Sequence, residues 1–244
     1  MQRFFCPSSH ISGDRIIIDD KTQVHHIRDV LRLKVKDEVT VFDDKGNTYN
    51  CIIEKVFKEV IFNIKDRHTN MKNSQTLRIA IACAVPKKSK MDDIVDKLTQ
   101  LGVDRIIPLK TQRVIIKFDK NKETPRLQRW KKIALSASQQ SQRDTLPVIE
   151  SVKSLEEVLA EAKDYDLKLI PTITSKSIAL KKILTQSRPK SILVLIGPEG
   201  DFTFKEIEMA KKAGCIPVSL GDLILRVETA AMAVTSFIRL YGNN

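Results

Sequence analysis

The chain has 244 residues, 42% hydrophobic and 5% aromatic, enough apolar material for one large or two modest cores packed mainly through aliphatic side chains. No apolar run approaches the roughly 20 residues that span a bilayer, and the opening Met1-Gln2-Arg3-Phe4-Phe5-Cys6-Pro7 lacks the long apolar stretch of a secretory signal, so a soluble, cytoplasmic protein is expected. The net charge is +12 and lies mostly in the middle: residues 75–150 hold 16 Lys and Arg against 8 Asp and Glu, whereas 1–74 and 151–244 each hold 13 against 11, a concentration that points to a polyanionic partner.

In chain order, the first seventy residues carry short strand-like runs at 15–18, 38–42, 50–56 and 60–64. Asp43-Asp44-Lys45-Gly46-Asn47 supplies a turn signal between the second and third. One helix, 21–31, interrupts them, with Val24, Ile27, Val30 and Leu31 on its apolar face. Several short strands and a single helix predict a small β-barrel over residues 1–70. Residues 71–76, inside the polar stretch His68-Thr69-Asn70-Met71-Lys72-Asn73-Ser74-Gln75, read as a linker. From Leu77 the pattern alternates. A buried strand at 77–85 leads to a helix at 91–101, closed by Gly102 as a left-handed terminator. A strand at 105–109 and a helix at 125–142 follow. Strands at 167–170 and 191–196 then alternate with helices at 155–162, 178–184 and 204–213, the last ended by Gly214. The strand 217–220 and the helix 226–241 complete residues 77–244 as an α/β domain with a parallel sheet.

Two segments carry the chemistry. Leu193-Val194-Leu195-Ile196-Gly197-Pro198-Glu199-Gly200 and Leu220-Gly221-Asp222-Leu223-Ile224-Leu225-Arg226-Val227-Glu228-Thr229-Ala230-Ala231 each read as a strand entering a tight loop before a helix. In an open parallel sheet, ligands bind at the carboxyl ends of the strands. Neither loop has the glycine fingerprint of dinucleotide sites or the phosphate loop of nucleotide hydrolases. The expected ligand is therefore a nucleotide-sized cofactor held by main chain without a phosphate cradle, and a nicotinamide-dependent oxidoreductase is disfavoured. Gly197 and Gly200 permit close backbone approach, Pro198 stiffens the turn and Glu199 offers an acceptor. The alternative is a plain strand-to-helix turn with Asp201 or Thr203 capping the next helix. Arg226 sits at a helix start, against the helix dipole, which is explained if it meets an anionic or electron-rich group. The alternative is a surface arginine paired with Glu228 or Asp222.

His25, Arg28 and Arg32 fall on one face of the first helix at spacings of three and four, as a phosphate-binding patch or a solvated face. The basic middle offers Lys87, Lys88, Lys90, Arg113, Lys117, Lys120, Lys122, Arg126, Arg129, Lys131, Lys132 and Arg143 as contacts for a phosphate backbone. Cys6, Cys51, Cys83 and Cys215 are scattered and read as reduced core thiols. His10, His25, His26 and His68 lack ligand spacing, so no metal site is expected. No hydrolytic triad or nucleophile elbow is present.

These segments, with Arg3-Phe4-Phe5, His26-Ile27-Arg28-Asp29-Val30-Leu31-Arg32, Leu101-Gly102-Val103-Asp104-Arg105-Ile106-Ile107-Pro108-Leu109, Arg129-Trp130-Lys131-Lys132-Ile133-Ala134 and Gln140-Ser141-Gln142-Arg143, together and in this order resemble the bacterial small-subunit ribosomal RNA methyltransferase E family. The resemblance implies an N-terminal PUA-like β-barrel and a C-terminal SPOUT α/β parallel sheet with a trefoil knot. It also implies a homodimer, S-adenosylmethionine as methyl donor, and methylation at N3 of one uridine in the 16S rRNA of the small ribosomal subunit. Carried onto this chain, Gly197, Pro198, Glu199, Gly200, Leu220, Gly221, Ile224 and Leu225 line the cofactor pocket, and the loop at Pro171 and Thr172 closes it. Arg226 is assigned to stabilise charge developing on the uracil oxygens, with Glu199 or Glu228 orienting it or relaying the proton. Arg3, His25, Arg28, Arg32, Arg113, Lys117, Arg129 and Arg143 are the expected RNA contacts. The sequence departs from the family pattern at Asp201, where a second glycine is usual, and at Gln100, where glutamate is usual. It also departs at Ser136-Ala137 and Gln139-Gln140. Two competing readings are a catalytically silent RNA-binding or ribosome-assembly factor of the same fold, and a SPOUT enzyme modifying another RNA position.

Overall fold

The computed structural model describes residues 2–69, 77–86, 90–113, 120–173 and 177–242. It divides into two compact units, Met1–Ser74 with Ser138–Leu146, and Gln75–Ala137 with Pro147–Asn244. The expected linker at 71–76 lies outside the described residues.

In the first unit the order is β1 (Gln2–Phe5), β2 (Ile11–Ser12), β3 (Arg15–Ile18), α1 (Lys21–His25), β4 (Glu38–Phe42), β5 (Asn47–Val56) and β6 (Val60–Thr69). They form one sheet in the order β1-β4-β5-β6-β3-β2. The period-two pattern places Ile16, Ile18, Val39, Val41, Cys51, Ile53, Val60 and Phe62 in a common core. The turn between β4 and β5 forms where its residues predict it. Asp43, fully buried, accepts hydrogen bonds from the amides of Lys45 and Asn47 through Oδ1, and from Asn47 Nδ2 and Tyr49 Oη through Oδ2. Strand β1, which has no local signal of its own, pairs in parallel with β4. The helix expected at 21–31 begins at Lys21, with Asp20 capping it, but continues from His26 to Val30 as a π-helical turn.

The second unit contains β7 (Arg78–Ala84), α2 (Lys90–Gln100), β8 (Arg105–Lys110), α3 (Lys120–Gln140, whose residues from Ser138 belong to the first unit), β9 (Val148–Ile149), β10 (Lys153–Ser154), α4 (Leu155–Ala160), β11 (Leu167–Pro171), β12 (Ile178–Ala179), α5 (Leu180–Gln186), β13 (Ser191–Ile196), α6 (Phe204–Lys212), β14 (Ile216–Ser219) and α7 (Val227–Gly242). The sheet order is β10-β8-β7-β13-β11-β14-β12, with β9 beside β8, and every pairing is parallel. Alternate residues of the central strands enter opposite cores. Ile79, Ile81, Cys83, Ile192, Val194 and Ile196 pack with α2, α3, α5 and α7. Ala80, Ala82, Leu193 and Leu195 pack with α4 and α6. Each fully buried leucine or isoleucine contributes about 1.5–3 kcal/mol, which is why a sheet covered on both faces reads as continuous apolar runs. Helices α4 and α6 start at capping boxes, Ser154 with Glu157 and Thr203 with Glu206.

The helix expected at 178–184 starts at Leu180 because Ile178 and Ala179 pair with Val218 and Ser219. The long helix expected from Pro125 starts at Lys120, which puts the proline inside it as the sixth residue, where it cannot supply the N–H of an i→i−4 bond. Two late strands are interposed between earlier ones: β13 lies between β7 and β11, and β14 between β11 and β12. The carboxyl ends of β13, β11 and β14 are thereby side by side. No helix among the described residues is long and apolar enough to cross a membrane.

Candidate functional site

Those three strand ends frame a cavity of about 350 Å³, within the size range of small-molecule sites. The loop after β11 contributes Pro171, Thr172 and Ile173. The β13 loop contributes Ile196, Gly197, Pro198, Glu199 and Asp201. The β14 loop supplies Ser219 through Leu225, and Val227 and Ala230 of α7 complete the wall with Ser177. Of the ten residues expected to hold a cofactor, nine line this cavity. Gly200 does not: it faces Arg113, whose guanidinium donates to the Gly200 carbonyl.

Local geometry accounts for the glycines. A Cβ on Gly197 would lie 3.0 Å from the Phe202 ring, closer than ordinary contact, so the ring would have to give by a few tenths of an ångström. Gly221 has φ +122°, open in practice only to glycine. Asp201 also adopts a left-handed conformation, with φ +60°. Its Oδ1 accepts from the Phe202 amide at 2.7 Å, and its Oδ2 from Thr172 Oγ1 at 2.9 Å. Leu223 and Ile224 are 82% and 76% exposed, forming an apolar lip. Among the described lining residues there are three carboxylates, Glu199, Asp201 and Asp222, and no lysine, arginine or histidine. That donor set fits a nucleoside-type ligand bearing positive charge and does not fit a phosphate.

Arg226 and Glu228 do not line the cavity. Glu228, in the first turn of α7, accepts from Lys90 Nζ at 2.8 Å, and its other oxygen is buried without a hydrogen-bond partner. Burial pushes its carboxyl up, but the Lys90 hydrogen bond and the charges of Lys90 and Arg226 outweigh that and hold it below the usual value. Arg226 is exposed and forms no ion pair among the described residues. Both glutamates act on Cys83 at the end of β7, whose thiol is raised by burial first, then by the charges of Glu228 and Glu199. The sequence placed Lys90 among the candidate contacts for a phosphate backbone; its pairing with a residue 138 positions away had no local signal.

Of the expected RNA contacts in the first unit, Asp29 brings His25 and Arg28 together. Arg28 donates to both carboxylate oxygens at 2.8 Å, and His25 Nδ1 lies 2.7 Å from Oδ2. The Asp29 carboxyl is held well below its usual value by the Arg28 hydrogen bond, then by that of His25. Arg28 also donates to the Phe57 carbonyl at 3.1 Å. Arg32 does not share the helix face of Arg28, contrary to the spacing argument: the π-turn ends at Val30, and Arg32 follows it at φ +54°. Arg3 is largely buried, ion-paired with Asp144, bonded to the Arg143 carbonyl, and 5.6 Å from the Phe42 ring centre. In the second unit Arg129 pairs with Asp92, which also accepts from Trp130 Nε1 at 3.1 Å. Lys87, Lys88 and Lys117 lie outside the described residues. The sequence reading missed Glu206. Only 2% exposed, it takes hydrogen bonds from Thr203 and from the Gln112 amide at 2.8 Å, fastening the segment after β8 to the start of α6. Among the described residues there is no group of three His, Cys, Asp or Glu able to hold a metal ion.

Comparison with known proteins gives this geometry a family. Residues 72–239 match the RNA methyltransferase domain family, and residues 18–65 the RNA methyltransferase PUA domain. A Bacillus subtilis protein named ribosomal RNA small subunit methyltransferase E is 30% identical over 98% of this chain and 96% of its own length. A Rickettsia conorii protein of the same name is 29% identical over 99% and 96%. The crystal structure of a ribosomal RNA small subunit methyltransferase E from Neisseria gonorrhoeae, bound to S-adenosyl methionine, matches with a TM-score of 0.85 at 29% identity, covering 98% of this chain and 97% of that one. With matches of this length across both units, the chain belongs to the ribosomal RNA small subunit methyltransferase E family.

Proposed function

We propose that the chain transfers a methyl group from S-adenosylmethionine to N3 of one uridine in the 16S rRNA of the small ribosomal subunit. Family membership makes it an rRNA methyltransferase using S-adenosylmethionine; the atom and nucleotide are the proposed part. The observation that carries the reading is the cavity at the ends of β11, β13 and β14, walled by backbone, apolar side chains and carboxylates. Such a wall suits a cationic adenosine derivative, and Thr172, Gly197, Leu220 and Leu225 are the residues that would hold it. When bound, that group supplies an electrophilic methyl.

The remaining chemistry falls to the protein. Uracil N3 carries a weakly acidic proton, so the base must be unpaired and the proton removed before its lone pair can attack. An exposed pairing edge is what proteins commonly read in RNA. Arg226 stabilises the negative charge that deprotonation spreads over the uracil oxygens. Glu199, on the cavity wall, accepts or relays the proton. Glu228, in the first turn of α7 and already engaged with Lys90 of α2, orients Arg226 just ahead of that helix. His25, Arg28, Arg32 and Arg143 in the first unit, with Arg113, Lys117 and Arg129 in the second, contact RNA phosphates.

The same reading takes the first unit as a PUA-like β-barrel and the second as a SPOUT domain with a trefoil knot. Interposition of β13 and β14 between earlier strands supports the latter. It takes the working form as a homodimer, supported by the stripe of Ala233, Phe237 and Leu240 left exposed on α7. The test is transfer of labelled methyl to small subunits from a strain lacking the gene, with naked 16S rRNA in parallel and the product nucleoside identified. 3-Methyluridine is expected. A different methylated nucleoside would favour a related activity, and RNA binding without transfer would favour an assembly factor.

A further inference from the structure

We propose that Asp201 is a positioning residue that latches two walls of the cofactor pocket together. The proposal rests on the cofactor reading above. Asp201 lies in the loop between β13 and α6, and its backbone at φ +60° is one that glycine adopts freely and other residues rarely do. Its side chain fills a definite role there. Oδ1 accepts from the Phe202 amide at 2.7 Å, which fixes the carboxylate's direction. Oδ2 then reaches the neighbouring loop, accepting from Thr172 Oγ1 at 2.9 Å and from the Ile173 amide at 3.4 Å. The Thr172 amide in turn donates to the Val218 carbonyl of β14 at 3.1 Å. A single carboxylate thus connects the ends of β13, β11 and, through Thr172, β14, the three strands whose loops form the cavity. A glycine at 201 would keep the Asp201 amide bond to the Pro198 carbonyl, now 2.9 Å, but would leave the buried Thr172 hydroxyl without this partner.

Because Asp201 acts through loop position, removing it should weaken every ligand that needs the loops closed. The measurement is calorimetric affinity for S-adenosylmethionine and for S-adenosylhomocysteine, with the melting temperature of the unliganded protein and steady-state kinetics. D201G is expected to lose about tenfold in affinity for both ligands, the loss typical of one charge-assisted hydrogen bond, while the unliganded protein keeps nearly the same melting temperature, the relief of that backbone offsetting the bonds lost. KM for S-adenosylmethionine should rise while kcat at saturation holds. D201N can keep the bridge without the charge, its one oxygen accepting from the Phe202 amide and its NH2 donating to the Thr172 hydroxyl, and should stay within about threefold of the unaltered protein. T172V should reproduce the loss alone and add nothing on top of D201G. Unchanged affinity in D201G, multiplying effects of D201G and T172V, or a loss confined to S-adenosylmethionine would each overturn the latch alone. Failure of the unaltered chain to bind S-adenosylmethionine would overturn the cofactor reading with it.

Discussion

Lys90, at the start of α2, donates a 2.8 Å hydrogen bond to Glu228 in the first turn of α7, and the two helices pack side by side. The pair is partly screened, Lys90 being about a third exposed, so Lys90→Met should cost about 1 kcal/mol in chemical denaturation. Its pH dependence is more diagnostic. Glu228 is held below its ordinary value in the folded chain, so its contribution is complete above the ordinary carboxylate range and is lost as pH falls through the folded value. Lys90→Met should flatten the acid limb of stability against pH. An unchanged limb would show that the pair contributes nothing.

Arg226 stands beside the cavity but outside its lining. Arg226→Ala should lower kcat by about a hundredfold, the usual loss for one charge-stabilising group, with S-adenosylmethionine affinity unchanged. Near-normal turnover by this variant would remove Arg226 from the chemistry.

Arg3 and Arg32 should behave oppositely, although both are cations at expected RNA contacts. Arg3 is largely buried, its guanidinium over the Phe42 ring and paired with Asp144, holding the segment that carries Arg143. Arg3→Ala should destabilise the protein by about 1–3 kcal/mol and leave the salt dependence of RNA binding nearly intact; a large fall in that slope would place Arg3 on phosphate instead.

Arg32 is exposed at φ +54°. Arg32→Gly relieves the backbone and should preserve or raise the melting temperature, while the slope of log affinity against log salt falls by about one contact. A drop in melting temperature with no change in slope would rule out the phosphate role.

All four cysteines are buried. Burial pushes the Cys6 and Cys51 thiols up to about 12 and Cys215 to about 11, so each is protonated and shielded at neutral pH. Ellman's reagent should react negligibly with the folded protein and with four equivalents after denaturation. Fast reaction of even one thiol in the native state would contradict this packing.

The parts legible in sequence are those set by neighbours in the chain. The apolar runs of β7 and β13, the cap at Thr203, and the terminators Gly102 and Gly214 each announce an element locally, and the glycine loops announce the cavity. What stayed hidden depends on distant partners. Strand β1 exists because β4 offers it an edge. Ile178 and Ala179 leave the predicted helix because β14 pairs with them. Asp201 reads as a departure from the family pattern or a helix cap until Thr172, 29 positions earlier, is placed beside it. Residues Ser138–Leu146 group with the first unit because Arg3 and Thr48 hold Asp144.

The interposed strands also set an order on biosynthesis. Ribosomes deliver β7, β8, β11 and β12 before β13 and β14, so the nascent chain must hold open the slots that β13 and β14 later fill. Until β13 has emerged, β11 lacks both of its lateral partners, and until β14 has emerged it still lacks one; an unpaired backbone is the kind of exposed edge that recruits other strands. A chain cut short before residue 191 would therefore carry β11 without either neighbour, and the cavity, whose wall reaches Ala230, cannot be completed until the first turn of α7 has been made.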